Sequence, residues 1–293
     1  MGTNLVRILL IGARGMLGTD LTGVLRDRSP KHNLTLWDVE EADITDNKAF
    51  DSALEGLPEP PEVIINCAAF TAVDLAETER EAAMRINGDG AGNISRAARR
   101  IGARVVYIST DYIFDGKKET PWREDDPTEP VNWYGQTKLE GEKRTLDACP
   151  DALIVRTQWL YGPEGKNFVE TILKLADERD ELRVVDDQRG SPTYTEDLAR
   201  ALTTLVEGKH QGVYHVANSG ETTWFDFARE IMTRTGKDVR VVPVSTEDYP
   251  AIARRPGNSV FDMMKFQKDT GMTMPSWREG LAAYLRRKNL PVE

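Results

Sequence analysis

The segment that most restricts the possible folds lies near the N-terminus, where a strand-like run meets closely spaced glycines. Val6 to Ile11 is an almost uninterrupted apolar run, as expected of a strand that is buried on both faces. Gly12, Gly15 and Gly18 follow directly, and the next residues predict a helix to about Arg28. Glycines let the backbone approach a pyrophosphate, and a helix N-terminus offers free N–H groups. The turn therefore predicts a dinucleotide site with these contact residues: Gly12, Arg14, Gly15, Met16, Leu17 and Gly18.

The second predicted strand, Leu34 to Asp38, ends in a carboxylate about twenty residues beyond the glycines. A carboxylate there accepts hydrogen bonds from the adenosine ribose and repels a 2′-phosphate, so Asp38 favours NADH. Arg14 favours NADPH because a guanidinium pairs with such a phosphate, unless it is only a solvated turn residue. The signals conflict, and the sequence leaves the choice between NADH and NADPH open. Asp43 and Ile44 are predicted near the adenine.

Strand-like and helix-like segments alternate through the first half of the chain. Apolar runs predict further strands at 62–66, 104–108 and 152–157, and a helical pattern covers 87–100. This alternation predicts an α/β fold, a doubly wound parallel sheet of the Rossmann type with right-handed crossovers. Ligands of such sheets bind at the carboxyl ends of the strands. Four residues at these ends are therefore predicted to share one site: Gly12, Asp38, Ala68 and Thr110.

Beyond about residue 160 the alternation becomes irregular. Loops are predicted at 158–167 and 188–193, helices at 168–179, 196–207 and 225–235, and strands at 182–185 and 212–216. The prediction is a Rossmann domain over residues 1–160, joined by about 192–217. A smaller C-terminal α+β substrate-binding lobe is predicted over 161–191 and 218–293.

Charge and composition exclude several kinds of partner. The chain has 48 acidic and 38 basic residues, and its net charge of -10 is opposite to what a phosphate backbone attracts, so no nucleic acid is expected. The N-terminal apolar run is too short to span a bilayer and is not followed by a cleavage pattern, so no membrane association is expected. The two cysteines, Cys67 and Cys149, indicate a reducing compartment, and no metal ligands are assigned. We therefore predict a cytoplasmic protein.

A tyrosine and a lysine four residues apart form the candidate catalytic pair. Tyr134 and Lys138 stand in a helix-compatible segment, and because residues i and i+4 share a helix face, the ammonium is expected beside the phenol. A cation there stabilises phenolate and lowers the phenol pKa from its usual value of about 10. Such a tyrosine can transfer a proton near neutral pH. The same spacing occurs by chance on many helix surfaces, so the remaining motifs decide between the two interpretations.

Taken together, the motifs resemble those of the extended short-chain dehydrogenase/reductase class and, within it, the dTDP-4-dehydrorhamnose reductase family. The resemblance covers nearly the whole chain. It is carried by the blocks 12–18 (G-x-x-G-x-x-G), 66–74 (NCAAFTAVD), 109–114 (STDYIF), 134–138 (Y-x-x-x-K), 156–162 (RTQWLYG), 167–168 (NF), 187–193 (DQ-x-G-x-PT) and 254–259 (RRP-x-NS). The order of so many blocks makes the similarity specific, whereas the first and fourth alone indicate only a short-chain reductase.

The resemblance implies reduction of a dTDP-linked 4-keto-6-deoxysugar by NADPH or NADH, giving dTDP-L-rhamnose. Tyr134 is expected to protonate the C4 oxygen, and Thr110 to hydrogen-bond it unless Thr110 only caps its strand. Lys138 is expected to hold the nicotinamide ribose and to keep the phenol acidic. Further cofactor contacts are implied for Ala68, Ala69 and Thr71.

The resemblance also implies a set of substrate-binding residues: Thr71, Val73, Tyr112, Trp159, Asn167 and Arg255. Trp159 either stacks on the sugar or nicotinamide or belongs to the core. Arg255 either pairs with the substrate diphosphate or forms a surface ion pair. Sugar-nucleotide dehydratases of the same class usually carry glutamate where this chain has Tyr112, so simple reduction is favoured over elimination of water.

Two other functions remain open at this point. The regulatory subunit of methionine adenosyltransferase resembles the same family, keeps a dinucleotide site and acts by binding a catalytic partner. A reductase of a related nucleotide-linked deoxysugar would differ only in its C-terminal pocket. Some relatives form dimers, so a homodimer is one candidate assembly.

Overall fold

A parallel β-sheet between two layers of helices organises the N-terminal part of the protein. The computed structural model describes residues 6–28 and 32–292. Its strands are β1 Val6–Ile11, β2 His32–Trp37, β3 Val63–Asn66, β4 Arg104–Thr110, β5 Leu153–Thr157, β6 Leu160–Tyr161, β7 Glu181–Val185, β8 Arg189–Gly190, β9 Thr193–Tyr194, β10 Gly212–His215, β11 Thr222–Thr223 and β12 Arg240–Val244.

The helices alternate with these strands in the first half of the chain. They are α1 Met16–Arg28, α2 Asn47–Glu55, α3 Val73–Ala76, α4 Arg80–Met84, α5 Ala91–Ile101, α6 Trp133–Ala148, α7 Phe168–Glu178, α8 Thr195–Glu207, α9 Trp224–Thr235, α10 Met264–Thr270 and α11 Trp277–Arg287. A π-helical turn, Arg85–Gly90, leads into α5, and a 3-10 turn, Asp111–Ile113, follows β4. No helix among the described residues combines the length and the apolar character that crossing a membrane requires.

The order of the strands confirms the predicted doubly wound parallel sheet. Within the described residues the main sheet runs β10-β5-β4-β3-β1-β2, and all neighbouring strands are parallel. The chain moves from β1 outward to β2 and then returns to the other side of β1 to form β3. Such a reversal leaves a crevice beyond the carboxyl ends of the strands on either side of it. The topology therefore places a ligand site beyond β1 and β3.

Each face of the sheet has its own apolar layer. Ile8 and Leu10 pack under α1 and α8, whereas Leu9 and Ile11 pack under α2 and α5 on the opposite face. Successive side chains of a strand point to opposite faces, so a strand that is covered on both sides must be apolar throughout. This double coverage explains the continuous apolar run that opens the chain.

A second, smaller lobe is built from the C-terminal half. β7 and β12 form a parallel pair, and α7, α9 and α11 surround an apolar core that includes Tyr161, Phe227 and Trp277. The lobe is tied back to the sheet domain by an ion pair of 2.7 Å between Arg287 Nη1 on α11 and Asp20 Oδ1 on α1. This α+β lobe agrees with the predicted fold class. The exact division of the chain into two domains stays a prediction.

Three parts of the secondary structure differ from the sequence-based predictions. The helix expected over 87–100 is a π-helical turn followed by α5, because the turn directs Asn87 at a neighbouring segment instead of continuing the regular spiral. The loops expected at 158–167 and 188–193 contain the two-residue strands β6, β8 and β9. β12 and α10 were not predicted; β12 is partly exposed and contains Pro243, which obscures the strand pattern.

A buried ion pair joins α6 to β5. The Arg156 guanidinium donates to both carboxylate oxygens of Glu142, with Nε–Oε1 and Nη2–Oε2 distances of 3.0 and 2.9 Å. Both side chains are almost fully buried. Since water reaches neither charge, each depends on the other for its solvation.

We predict that Glu142→Ala lowers the free energy of unfolding by about 3–5 kcal/mol, because it leaves a buried guanidinium without its partner. The matched control on the same helix is Glu140→Ala, whose partner Arg144 is partly exposed. That change should lower stability by only about 0–1 kcal/mol. Urea unfolding of both variants measures the difference. Equal decreases in the free energy of unfolding would show that the buried pair contributes no more to stability than the exposed one.

Candidate functional site

The glycine turn closes tightly around the carboxyl end of β1. Gly12 has a φ of +75°, and a Cβ on it would lie 2.7 Å from the backbone nitrogen of Ala68. A Cβ on Gly18 would lie 2.1 Å from the carbonyl oxygen of Gly12. Only glycine fits at either position, and the first turn of α1 therefore rests directly on the strand–helix turn. The N-terminus of α1 then faces the space beyond the sheet, where its free N–H groups can meet a phosphate.

A cavity of about 930 Å³ runs along this edge of the sheet. It is lined by the following predicted site residues: Gly12, Arg14, Gly15, Met16, Leu17, Gly18, Asp38, Asp43, Ile44, Ala68, Ala69, Thr71, Val73, Thr110, Tyr112, Tyr134, Lys138 and Trp159. β2 and β4 lie three strand spacings apart, which is about 14 Å. The cavity therefore extends from Asp38, which follows β2, to Tyr134 near the end of β4.

Two predicted substrate residues, Asn167 and Arg255, lie outside this cavity. Asn167 instead caps α7: its Oδ1 accepts the backbone N–H of Glu170 at 3.1 Å, and its Nδ2 donates to the carbonyl of Gly162 at 2.8 Å. Arg255 forms a forked pair with Asp74 at 3.1 and 2.8 Å. It also lines a second cavity, of about 540 Å³, in the C-terminal lobe.

Glycine and a side-chain cap fix the start of α6, which carries Tyr134. Asn132 Oδ1 accepts the backbone N–H of Gly135 at 2.8 Å. A Cβ on Gly135 would lie 2.1 Å from the carbonyl oxygen of Tyr112, so the helix can approach the 3-10 turn only with glycine at this position. Tyr134 and Thr110 both line the cavity, and the Thr110 hydroxyl lies near enough to lower the pKa of the phenol. The predicted catalytic tyrosine and threonine thus lie together near the carboxyl end of β4.

Lys138, one turn further along α6, is almost completely buried against β4. Its Nζ donates to the carbonyl of Ile108 at 2.7 Å and lies 4.1 Å from the centre of the Tyr107 ring. Burial lowers the pKa of Lys138 to about 7. Near neutral pH, Lys138 is therefore present both as the ammonium and as the neutral amine.

The pKa of Tyr134 shifts in the direction opposite to the sequence prediction. Burial raises it above the usual value of the phenol, although the nearby Thr110 hydroxyl acts against that shift. The prediction considered the charge of Lys138 and not the loss of water around the phenol, which disfavours phenolate. Tyr134 is therefore protonated at neutral pH, as a proton donor must be.

Asp111 is a part of the site that the sequence analysis did not assign. Its carboxylate accepts hydrogen bonds from Thr110 Oγ1 at 3.1 Å and from Ser259 Oγ at 2.5 Å. Burial raises its pKa to about 6. Ser259 comes from the C-terminal lobe, so this carboxylate links that lobe to the threonine. A carboxylate directly after a strand-end threonine was the available signal in the sequence.

Asn87 in the π-helical turn was also missed. Its Oδ1 accepts the backbone N–H of Phe70 at 2.8 Å, and its Nδ2 donates to the Phe70 carbonyl at 3.1 Å and to Thr137 Oγ1 at 2.9 Å. These bonds tie the segment after β3 to α6. π-Helical turns often occur at functional sites. The sequence showed only an asparagine within a helical pattern, and its burial became visible in the structure.

Two stacked tryptophans form the side of the cavity that faces the C-terminal lobe. Trp159 and Trp224 lie with ring centres 3.6 Å apart and nearly parallel. Trp159 has a φ of +49°, a backbone conformation that is rare for a bulky residue and often occurs at binding sites. Trp224 lines both cavities, which places them side by side. The sequence analysis assigned only Trp159.

The sequence of residues 6–290 matches the RmlD substrate binding domain family. The chain belongs to this family. The chain is similar to the dTDP-4-dehydrorhamnose reductase of Escherichia coli, with 40% identity over 96% of this chain and 97% of the relative. It is equally similar to the spore coat polysaccharide biosynthesis protein SpsK of Bacillus subtilis, with 40% identity over 97% and 99% of the two chains.

A solved structure extends the similarity to three dimensions. The dTDP-4-dehydrorhamnose reductase of Bacillus anthracis, determined in complex with NADP, superposes with a TM-score of 0.92 at 39% identity. The match covers 96% of this chain and 99% of that chain. The RmlD family assignment thus rests on nearly the full length of both proteins.

We predict that Gly18→Ala weakens dinucleotide binding by about tenfold or more. A methyl group at this position meets backbone, and such overpacking typically costs about 1–3 kcal/mol. The control is Gly23→Ala on the same helix, where an added Cβ meets nothing within 4 Å. It should leave binding unchanged and stabilise α1 by up to about 1 kcal/mol. Titration of NADH fluorescence measures both variants, and unchanged binding in Gly18→Ala would contradict the role of the turn.

Proposed function

We propose that the protein is an NAD(P)H-dependent oxidoreductase that reduces the C4 keto group of dTDP-4-dehydro-6-deoxy-L-mannose, which gives dTDP-L-rhamnose. One observation carries the proposal: Tyr134, Thr110 and the glycine turn after β1 line the same cavity. A proton donor and a pyrophosphate site thereby face the same space. The reductases of the RmlD family at about 40% identity support the same reaction.

The cavity lining suits an extended dinucleotide. The glycine turn and the N-terminus of α1 would hold the pyrophosphate, and Asp38 would accept hydrogen bonds from the adenosine ribose. Asp43 and Ile44 would contact the adenine. Lys138 would hold the nicotinamide ribose, and Ala68, Ala69 and Thr71 would line the wall between the two ends. A reduced nicotinamide bound there supplies the hydride for C4.

Tyr134 and Thr110 handle the charge that develops on the C4 oxygen. The phenol of Tyr134 keeps its proton at neutral pH because burial raises its pKa, so the proton is available when the oxygen becomes anionic. The hydroxyl of Thr110 stabilises the same oxygen through a hydrogen bond. The groups that act on the Tyr134 phenol are Thr110 and Asp111, so Lys138 is assigned to the nicotinamide ribose and not to the tuning of the phenol.

The sugar and its nucleotide extend from this point towards the C-terminal lobe. Thr71, Val73, Tyr112 and Trp159 surround the sugar in the first cavity. The second cavity, across Trp224, is the proposed place of the nucleoside diphosphate. Arg255 lines that cavity, but Asp74 already occupies the fork of its guanidinium, so Arg255 binds a diphosphate only if it leaves this pair or uses its remaining N–H groups. The homodimer and the cytoplasmic location stay predictions.

Tyr134→Phe should lower kcat by about 10² or more, because it removes the general acid, while dinucleotide affinity is retained. The measurement is the oxidation of NADH and NADPH at 340 nm with the dTDP ketosugar. Tyr214→Phe is the matched control, since its hydroxyl binds Asp269 on α10, away from both cavities. It should leave the rate unchanged.

An unchanged rate in Tyr134→Phe would remove this tyrosine from the mechanism. The assay also separates the alternative functions. Wild-type protein that turns over no dTDP ketosugar but co-purifies with a methionine adenosyltransferase would be a regulatory subunit. Turnover confined to a different nucleotide-linked deoxysugar would identify the related reductase.

The activity should fall as pH rises through the pKa of Lys138. Because burial lowers that pKa to about 7, the ammonium form is present below this pH and is lost above it. We therefore expect kcat/KM for the dinucleotide, which reports the free enzyme, to decline between about pH 6 and 9. The charge of Glu142 raises the pKa of Lys138, so Glu142→Gln should move the decline to lower pH.

Glu140→Gln serves as the control for the pH profile, because Glu140 pairs with Arg144 on the partly exposed side of α6. Its profile should match that of the wild type. A profile that is flat across this range, or one that Glu142→Gln does not shift, would show that Lys138 does not control the decline.

A further inference from the structure

The loop after β2 brings three carboxylates to the adenosine end of the cavity. Asp38 and Glu40 line the cavity, and Glu41 lies beside them against Arg14. The Asp38 carboxylate is held in place, since its Oδ2 accepts the backbone N–H of Arg14 at 3.1 Å and its Oδ1 accepts that of Val39 at 3.0 Å. The position of an adenosine 2′ substituent is therefore bordered mainly by negative charge.

Arg14 is the residue in the glycine turn that could offset this charge, and its guanidinium is already engaged. Nη1 and Nη2 donate to the two oxygens of Glu41 at 3.1 and 2.8 Å, and Nη2 also donates to Glu40 at 2.5 Å. The forked geometry with Glu41 is the one that a phosphate would require. Hydrogen bonds from Arg14 lower the pKa of both glutamates, so both are ionised at neutral pH.

Glu41 is itself held in this position by the backbone. Its Oε2 accepts the N–H of Asp38 at 2.7 Å, and Asp38 accepts the N–H of Arg14. Arg14, Asp38 and Glu41 thus form a closed set of hydrogen bonds around the end of β2. Moving the guanidinium to a new anion would break several of these bonds together.

The other cations that line the cavity lie elsewhere. Lys138 lies beneath β4, about 14 Å from the end of β2. Lys166 follows Gly165, whose added Cβ would lie 3.8 Å from Met16 Cε at the start of α1. In the part of the chain that the structure describes, neither lysine forms a hydrogen bond or ion pair with Asp38, Glu40 or Glu41. A 2′-phosphate, which adds a charge of about −1.5 to −2, would therefore enter a region of net negative charge.

We propose that Glu40 and Glu41 are specificity-determining residues that make this chain prefer NADH over NADPH. Glu41 occupies the phosphate-binding fork of Arg14, and Glu40 adds a carboxylate to the cavity wall. A free 2′-hydroxyl instead donates to the fixed carboxylate of Asp38. The inference rests on the proposed function as a dinucleotide-dependent reductase. In the sequence, Asp38 favours NADH and Arg14 favours NADPH; this inference decides between the two in favour of NADH.

The test compares kcat/KM for NADH and NADPH in the wild type and in the double variant E40Q/E41Q. Because like charges in contact disfavour a complex strongly, wild-type protein should use NADH at least about tenfold more efficiently. E40Q/E41Q removes two charges and frees Arg14 for the phosphate. The NADH-to-NADPH ratio should then fall by about tenfold or more. High salt should lower the wild-type ratio, since these side chains are partly exposed.

Two further variants separate this mechanism from a general loss of charge. Adding R14Q to E40Q/E41Q should reverse the gain in NADPH use, because the liberated guanidinium is then absent. E55Q, at the exposed end of α2, removes a charge outside the cavity and should leave the ratio at the wild-type value. A fall in the ratio with E55Q would attribute the effect to net charge and overturn the proposal.

Direct binding distinguishes failure of this inference from failure of the proposed function. The dissociation constants of NADH and NADPH are measured by calorimetry on protein without sugar. The inference is supported if the wild type binds NADH more tightly than NADPH and E40Q/E41Q loses this preference, even where no ketosugar is reduced. Equal affinities, or tighter NADPH binding, overturn it even where the sugar is reduced. If the protein binds neither NADH nor NADPH, both the inference and the proposed function are overturned.

Discussion

The close approach of α6 to β4 is the constraint on which the site depends. A Cβ on Gly141 would lie 2.3 Å from the Asn87 carbonyl and 2.2 Å from the Tyr107 hydroxyl, and Gly135 meets the 3-10 turn equally closely. Only glycines at these positions let the helix lie against the sheet. Once there, α6 places Tyr134 beside Thr110 and inserts Lys138 under the strand. A displacement of this one helix would separate the groups whose contact defines the chemistry.

Loss of water, more than pairing of charges, determines the protonation of this site. Burial raises the pKa of Tyr134, raises that of Asp111 to about 6 and lowers that of Lys138 to about 7. All three shifts favour the neutral form of the group. The result is a phenol that keeps its proton and an ammonium that is poised near neutral pH, which suits the reduction of a ketone better than a free phenolate would.

The C-terminal lobe completes the site through a few specific contacts. Ser259 donates to the carboxylate of Asp111, Trp224 stacks on Trp159, and Arg255 pairs with Asp74. Each contact joins a C-terminal residue to a segment at or near the carboxyl edge of the sheet. The two cavities meet at Trp224, so a sugar in one and a nucleotide in the other can belong to a single substrate. The lobe therefore contributes to the electrostatic environment of the threonine through Ser259 and Asp111, and in the proposed function it also recognises the substrate.

The sequence by itself determined the sheet, the glycine turn and many of the residues that line the first cavity, although not Asp111 or Trp224. Short, β-branched apolar runs that end at turn residues are typical of strands covered on both faces, and the motifs at their carboxyl ends, such as Gly12, Asp38 and Thr110, then converge. Only the tertiary structure decided which partner each charged group meets. Arg14 faces Glu40 and Glu41, Asn167 caps a helix, and burial shifts the pKa of Tyr134 upward. Local patterns fix the backbone, whereas burial and ion pairing depend on residues that are distant in the chain and close only after folding.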